Sequence, residues 1–150
     1  MKQRKKRWLS LAAAPFALAM LAFAQPALAN DFNGTCAQYP GTFDGTGNVT
    51  INNTGACTLP AVSAAGTVSI TSSGNVTALS GISGASVTVN ATSGAINASA
   101  LTASNGQISL TTASGAITAD TLTALTNIAV DSGAALTFTN TAQSTNGSVD

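Results

Sequence analysis

The sequence predicts an all-β protein built as a single-stranded parallel β-helix, or β-solenoid, with about 20 residues in each coil. Two columns of residues keep this period. One column consists of glycines that are followed two or three residues later by an apolar residue: Gly34, Gly55, Gly74, Gly94, Gly115 and Gly133. Successive glycines of this column are 21, 19, 20, 21 and 18 residues apart. The other consists of apolar pairs: Val49/Ile51, Val68/Ile70, Val87/Val89, Ile108/Leu110 and Ile128/Val130. Such a fixed period is typical of solenoids, in which each repeat packs on its neighbours.

Residues 1–29, which precede the predicted β-helix, have the composition of a signal peptide. All five Lys and Arg residues lie between positions 2 and 7, an apolar run extends from Leu9 to Ala24, and Ala27-Leu28-Ala29 is typical of a cleavage site. The apolar run contains Pro15 and is shorter than the ~20 residues that a spanning helix requires. We therefore expect cleavage after Ala29, no stable membrane span afterwards, and an exported product that is periplasmic, cell-surface or secreted.

Cleavage at this site would remove every cationic side chain from the protein. The remaining chain has five Asp residues and no Glu, His, Lys or Arg. Because it cannot neutralise phosphates, we expect neither nucleic acid nor anionic lipid as a partner. The scattered Asp residues are also the only candidates for general bases or carboxylate ligands. We therefore expect no enzymatic activity, no cofactor and no metal site.

Residues 30–47 form the predicted N-terminal cap. This segment contains Phe32, Tyr39 and Phe43, which are most of the aromatic residues that follow the signal peptide. An open solenoid edge has to be covered or charged, and terminal repeats are usually atypical. We expect these aromatic side chains to cover the first coil.

Residues 48–139 form the predicted solenoid repeats, and residues 84–104 illustrate one coil. Its apolar residues alternate with Thr, Asn and Ser, which favours short half-buried strands over a helix. These apolar residues are Val87, Val89, Ile96 and Ala98. A third apolar column predicts three sides for each coil and comprises Leu79, Leu101 and Leu122.

The two cysteines lie one period apart in the column that Val76, Ile96 and Ile117 later occupy. Neighbouring rungs would place the Cα atoms of Cys36 and Cys57 ~4.8 Å apart, within the range that a disulfide spans. Export supplies an oxidising compartment. We expect a disulfide that stabilises the first coil by about 3 kcal/mol; two unpaired buried thiols are the alternative.

Two sets of polar residues recur at fixed positions and form the candidate binding face. One set consists of outward pairs on successive coils: Ser69/Thr71, Thr88/Asn90 and Ser109/Thr111. The other set follows the glycine column: Asn97, Thr118 and Thr137. Their ladders have two interpretations. They form either a hydroxylated surface that adheres to a host-surface, glycan or cell-envelope ligand, or a regular Thr/Ser lattice that binds ice, although Asn residues, Ala129 and Asp131 interrupt the rows.

Residues 66–139 resemble the repeats of filamentous-haemagglutinin-type adhesins. The similarity is strongest over residues 93–119, which read SGAINASALTASNGQISLTTASGAITA. The resemblance implies a parallel β-helix that serves as a cell-surface or secreted adhesive rod in a Gram-negative bacterium. The Asn-Pro-Asn-Leu motif of the secretion domain in that family is absent from this sequence.

Together these patterns predict an exported, non-enzymatic β-solenoid with a structural or adhesive role. The alternatives are an ice-binding protein and a self-assembling subunit of a surface fibre. Residues 140–150 form a predicted polar C-terminal tail, which would leave the strand containing Leu136 and Phe138 as an open edge. Because such an edge pairs readily with another strand, we expect homo-association through the last coil.

Overall fold

The computed structural model describes residues 30–41, 43 and 46–150, and it confirms the predicted β-solenoid. The predicted signal peptide, residues 1–29, lies outside the described residues. Thirteen strands follow one another along the chain: β1 (Phe32–Gly34), β2 (Val49–Asn53), β3 (Cys57–Leu59), β4 (Val62–Ser63), β5 (Val68–Ser72), β6 (Val76–Ala78), β7 (Ile82–Gly84), β8 (Val87–Ala91), β9 (Ile96–Ala103), β10 (Ile108–Thr112), β11 (Ile117–Ala124), β12 (Ile128–Ser132) and β13 (Leu136–Ser144).

The strands stack in parallel on three faces. Face 1 is a six-stranded sheet in the order β1-β2-β5-β8-β10-β12. A second sheet supplies the other two faces because it bends along its length. Face 2 comprises β3, β6 and the first halves of β9, β11 and β13. Face 3 comprises β4, β7 and the second halves of the same long strands.

The bend between faces 2 and 3 follows from the spacing of apolar residues. In β9, Ile96 and Ala98 point inward, and so do Leu101 and Ala103. Three positions separate Ala98 from Leu101, so the period-two alternation of a flat strand is broken between them. The chain turns there, and three sides enclose one core.

The core consists of ladders of identical or similar side chains from successive coils. On face 1, for example, Val49, Val68 and Val87 are stacked in register and almost completely buried. Each fully buried Val, Leu or Ile contributes ~1.5–3 kcal/mol relative to an exposed side chain. Since a ladder exists only where coils are stacked, the coils stabilise one another.

The glycine column lies at the corner between faces 1 and 2, where successive coils approach closely. A Cβ atom added at Gly115 would lie 2.0 Å from the carbonyl oxygen of Gly94, and one added at Gly94 would lie 2.3 Å from the backbone of Gly74 and Asn75. Side chains do not fit between backbones at these distances. The period seen in the sequence therefore has a steric cause at this corner.

The third apolar column differs from the prediction at Leu79. Leu101 pairs with Ile82 of the preceding coil, and the side chain of Leu79 is 62% exposed. The segment from Ala78 to Ile82 has one residue more than the equivalent segment from Ala98 to Leu101. This extra residue lengthens the bend, which turns at Gly81 with a φ of 127°, and it leaves Leu79 outside the core.

The solenoid continues beyond residue 139, where the sequence predicted that the repeats end. β13 runs to Ser144 and pairs with β11 on both sides of a register shift at Thr139 and Asn140. Val149 then forms a parallel bridge with Ile128, and the amide of Asp150 donates to the carbonyl oxygen of Ile128 at 2.9 Å. Residues 140–150 therefore complete a coil, although their side chains are polar.

The first coil carries the aromatic residues and the disulfide. Phe32 packs edge-on against Tyr39 and Phe43, with ring centroids 5.2 and 6.4 Å apart. Cys36 and Cys57 form the predicted disulfide, with their Cα atoms 5.6 Å apart. The disulfide ties a 3₁₀ turn, Cys36–Gln38, to β3.

The described residues contain no helix of the length and hydropathy needed to cross a membrane.

Candidate functional site

The outer surface of face 1 carries two straight rows of small polar side chains. Inward and outward residues alternate on each five-residue strand of this face, so every strand from β2 onward presents two outward positions. We call the eight polar residues at these positions the face 1 lattice: Thr50, Asn52, Ser69, Thr71, Thr88, Asn90, Ser109 and Thr111.

The face 1 lattice is regular because its strands pair without any register shift. Thr50, Ser69 and Thr88 are direct neighbours in the first row, and Asn52, Thr71 and Asn90 are direct neighbours in the second. Parallel strands lie ~4.8 Å apart, and outward residues of one strand are ~6.6 Å apart. The rows end at β12, where Ala129 and Asp131 occupy the two outward positions.

Variation in coil length is absorbed outside face 1. Its strands β2, β5, β8, β10 and β12 each contain five residues, whereas the corners and the bend between faces 2 and 3 differ in length from coil to coil. Face 1 is therefore the most repetitive side of the solenoid.

The second set of predicted binding residues lies on face 2. Asn97 pairs with Thr118, which pairs in turn with Thr137. The structure adds Thr77 and Thr58 to the same row. The two predicted sets are thus brought to different faces and do not form one surface. Face 2 presents a single row, which is narrower than the face 1 lattice.

Face 3 carries a third polar row that the sequence analysis did not identify. It comprises Ser63, Ser83, Thr102, Thr123 and Gln143. A signal for it was present in the sequence, because a Ser or Thr directly follows each of the inward residues Val62, Ile82, Leu101 and Leu122.

Inward hydroxyl groups hold the corner between faces 1 and 2. The last position of each face 1 strand is inward, and Ser72 and Thr112 are almost completely buried there. The hydroxyl of Thr112 donates to the carbonyl oxygen of Gly115 at 2.7 Å, and that of Ser72 donates to the carbonyl oxygen of Gly55. These bonds satisfy carbonyl groups at the tight glycine turn, and they fix the ends of β5 and β10.

Side-chain acceptors hold the opposite corner, where the chain enters face 1. The amide of Asn48 donates to Asp31 Oδ1 at 2.6 Å, and the amide of Thr67 donates to Asn48 Oδ1 at 2.8 Å. The amide of Ser148 donates to Asn127 Oδ1 in the same way at the last coil. Each bond joins one coil to the next, and β5 is thereby constrained at both of its ends.

Three carboxylates of the described residues accept local hydrogen bonds. Asp120 accepts a hydrogen bond from Asn140 Nδ2 at 2.8 Å, and Asp150 accepts one from the hydroxyl of Ser148 at 2.7 Å. Asp31 accepts from a backbone amide, as described above. Within residues 30–41, 43 and 46–150, no group of three or more potential metal ligands is brought together.

A shallow depression of about 240 Å³ lies at the bend between faces 2 and 3. Aliphatic and hydroxyl-bearing residues line it, among them Val62, Ser80, Gly81 and Thr102. None of its lining residues is ionisable. The depression therefore lacks the groups that a catalytic pocket of hydrolytic or lyase type requires.

Comparison of the chain with protein-family models, with curated proteins and with solved structures gives no match. The resemblance to filamentous-haemagglutinin-type repeats gains no support from these comparisons. The functional argument therefore depends on the geometry and chemistry of the three faces.

Proposed function

We propose that the protein is an exported, non-enzymatic β-solenoid that adheres through the face 1 lattice to neutral, hydroxyl-rich polysaccharide surfaces. One observation carries this proposal. Two unbroken polar rows run side by side across β2, β5, β8 and β10, and their strands pair without a register shift. A flat and repetitive surface of this kind is suited to a flat and repetitive partner.

The chemistry of the lattice favours a neutral polysaccharide. Hydroxyl and amide side chains both donate and accept hydrogen bonds, as sugar hydroxyls do. Each intermolecular bond is weak, since a typical net contribution is about 0.5–1.5 kcal/mol. Many bonds formed along two rows would nevertheless add to a useful avidity, because the first contact raises the effective concentration of the next.

Charge argues against strongly ionic ligands. The chain after residue 29 contains no Lys, Arg or His, so it has no side chain that could pair with a sulfated or phosphorylated polymer. The disulfide between Cys36 and Cys57 is compatible with the oxidising compartments that exported proteins occupy. It supports the proposal of export, which rests on residues 1–29.

Adhesion can be tested with purified residues 30–150 in a depletion assay. Insoluble cellulose and mannan serve as neutral polysaccharides, and heparin-coated beads serve as an anionic control. We expect protein to be removed from solution by at least one neutral polymer and not by heparin. Because no ion pairs are involved, binding should persist from low salt to about 1 M NaCl. Depletion by heparin alone, or by none of the three materials, would contradict the proposal.

Ice binding is a second candidate, and the same regularity favours it. The ~4.8 Å spacing of the rungs and the ~6.6 Å spacing along each strand give a two-dimensional array of hydroxyl groups, with amide groups at Asn52 and Asn90, that could order water. The test is to measure thermal hysteresis of residues 30–150 at micromolar concentration. Hysteresis together with shaped ice crystals would establish this function; freezing behaviour equal to that of a control protein would exclude it.

A further inference from the structure

The two ends of the solenoid differ in how they are closed. At the N-terminal end, Phe32, Tyr39 and Phe43 pack together, and the disulfide ties Cys36 to Cys57. At the other end, no described residue covers the inward side chains of the coil that residues 136–150 form. Leu136 is 45% exposed as a result, and Val149 is 46% exposed.

The edge strand of the last coil is β13. It pairs with β11 on one side and lies at the end of its sheet. The carbonyl oxygen of Ala135 accepts from Ile117, and the amide of Thr145 donates to Ala124. Odd-numbered residues at both ends of β13 therefore bond to the preceding coil. Since successive residues of a strand point to opposite edges, the amide groups of the even-numbered residues face outward from the end: Leu136, Phe138, Ala142 and Ser144.

An additional residue in β13 gives this edge an internal symmetry. Its register against β11 shifts between Ala119 and Thr121, so that four positions separate Phe138 from Ala142. Asn140 lies midway between them. The residues on the two sides of Asn140 therefore match. Residues 136 and 138 on one side, and 144 and 142 on the other, lie at the same distances from Asn140. All four point their side chains into the core and direct their backbone amide groups toward the open end.

We propose that this end is an interface at which two copies of the chain form a closed, two-fold symmetric dimer. In this arrangement the β13 strands pair antiparallel, with Asn140 opposite Asn140 of the second copy. Phe138 then lies opposite Ala142, and Leu136 lies opposite Ser144, so inward side chains meet inward side chains. The bends coincide, and face 2 of one copy continues into face 3 of the other.

The closed N-terminal end determines the assembly. A filament would require the last coil of one molecule to stack on the first coil of the next. At that end the 3₁₀ turn contacts β3 and the aromatic cluster packs around Phe32 of β1, so the first coil does not repeat the shape of the later ones. A two-fold contact uses the open end of both molecules, and association therefore stops at two copies.

The interface is small and carries like charges. Residues 136–150 contribute about fifteen residues from each copy, fewer than the ~20–30 per side of a standard interface. Asp131 and Asp150 lie at the same end in both copies. We therefore expect a reversible dimer that becomes tighter as salt screens the repulsion between carboxylates.

The test is sedimentation velocity of residues 30–150 over a concentration series that reaches hundreds of micromolar. We expect a monomer–dimer equilibrium with no larger species. Phe138→Asp, which places a charge in the interface, should abolish the dimer. Thr137→Asp, its outward neighbour on the same strand, should retain it. A strict monomer, a series of growing oligomers, or equal behaviour of the two variants would overturn the proposal.

A cross-linking experiment tests the register without changing the core. Residues opposite each other in an antiparallel pair have Cα atoms about 4.5–5.5 Å apart, which a disulfide can span. Asn140→Cys should therefore give a disulfide-linked dimer under mild oxidation. Thr118→Cys, on the outer surface of the preceding coil, should remain monomeric on a non-reducing gel. Failure of Asn140→Cys to cross-link at concentrations where the dimer sediments would exclude this register.

Discussion

At the scale of single residues, the solenoid depends on which side of the strand a residue faces. Ile96 is 1% exposed and stacks between Val76 and Ile117, whereas its neighbour Asn97 is exposed on face 2. The two side chains differ by one position in sequence and lie in opposite environments. Replacing each of them in turn by Asp shows how far the effect of a new charge on the free energy of unfolding depends on its burial.

Ile96→Asp should unfold the protein, because an unpaired carboxylate would replace a buried side chain within the ladder. We expect a loss of about 4 kcal/mol or more in the free energy of unfolding. Asn97→Asp introduces the same charge on the outside and should change that free energy by less than ~0.5 kcal/mol. Urea unfolding followed by circular dichroism measures both, and comparable losses would show that the inward and outward assignments are incorrect.

The sequence was sufficient to predict most of these assignments. Valines and isoleucines at alternate positions identified the inward columns, because Thr, Asn and Ser separate them regularly. Leu79 was placed wrongly since its apolar side chain fits the third column by period alone. Its exposure depends on the additional residue before Ile82, and the position of that insertion within the coil is set by the turn at Gly81.

At the scale of elements, the first coil depends on its disulfide and its aromatic cluster. Cys36 lies in the 3₁₀ turn, and Cys57 is buried at the start of β3. Their cross-link closes a loop with a sequence separation of 21 residues. It stabilises the protein mainly by restricting the unfolded chain.

Replacement of both Cys36 and Cys57 by Ala should lower the free energy of unfolding by about 3 kcal/mol. Most of the β structure should remain at low temperature, because the later coils stack without the disulfide. Reduction of the unsubstituted protein should give a similar loss, as measured by thermal melting with and without reductant. A melting temperature that does not respond to either treatment would rule out the stabilising role.

Tyr39 provides a pH-dependent test of the same coil. Burial raises the pKa of its phenol, and a hydrogen bond to the backbone of Ser63 partly offsets this effect. The unfolded state therefore loses its proton first as pH rises. Stability is fully present below the ordinary tyrosine pKa of about 10 and falls above it.

Thermal melts between about pH 8 and pH 11 should therefore show a decrease in melting temperature that begins near pH 10. Tyr39 is the only tyrosine of the chain, and no lysine follows residue 29. Tyr39→Phe should consequently remove the decrease, although it also removes the bond to Ser63. If the melting temperature of Tyr39→Phe fell by the same amount at alkaline pH, a group other than Tyr39 would be responsible.

The elements themselves were less predictable at the ends of the chain than in the middle. The apolar columns identify the internal strands, whereas β13 continues through Thr139, Asn140 and Thr141 without an apolar residue. The backbone of the preceding coil specifies the pairings on either side of Thr139 and Asn140. Such a template cannot be recognised from the polar sequence of residues 140–150.

At the scale of the whole molecule, the repeat period predicted the stack of coils but not the shape of its surfaces. The candidate residues of each set lie in a row across successive strands. The repeat period alone does not determine which of these rows lie on the same face. The structure separates the face 1 lattice from the row that contains Asn97, Thr118 and Thr137. That separation follows from the glycine corner and from the bend in the second sheet, both of which are three-dimensional features.

The face 1 lattice, rather than a cleft, is the proposed site of adhesion, and one matched pair of variants tests this directly. Thr88 lies in the lattice and Thr102 lies on face 3, and both are exposed at outward positions. A tyrosine at either position enlarges the surface without adding charge or disturbing the core.

The decisive measurement is the affinity of the two tyrosine variants for the neutral polysaccharide that depletes the unsubstituted protein. Thr88→Tyr should weaken binding about tenfold or more, because a bulky side chain lifts the flat lattice away from its partner. Thr102→Tyr should bind as the unsubstituted protein does, and both variants should unfold at the same temperature. Equal binding by the two variants, or a greater loss in Thr102→Tyr, would contradict the assignment of adhesion to face 1.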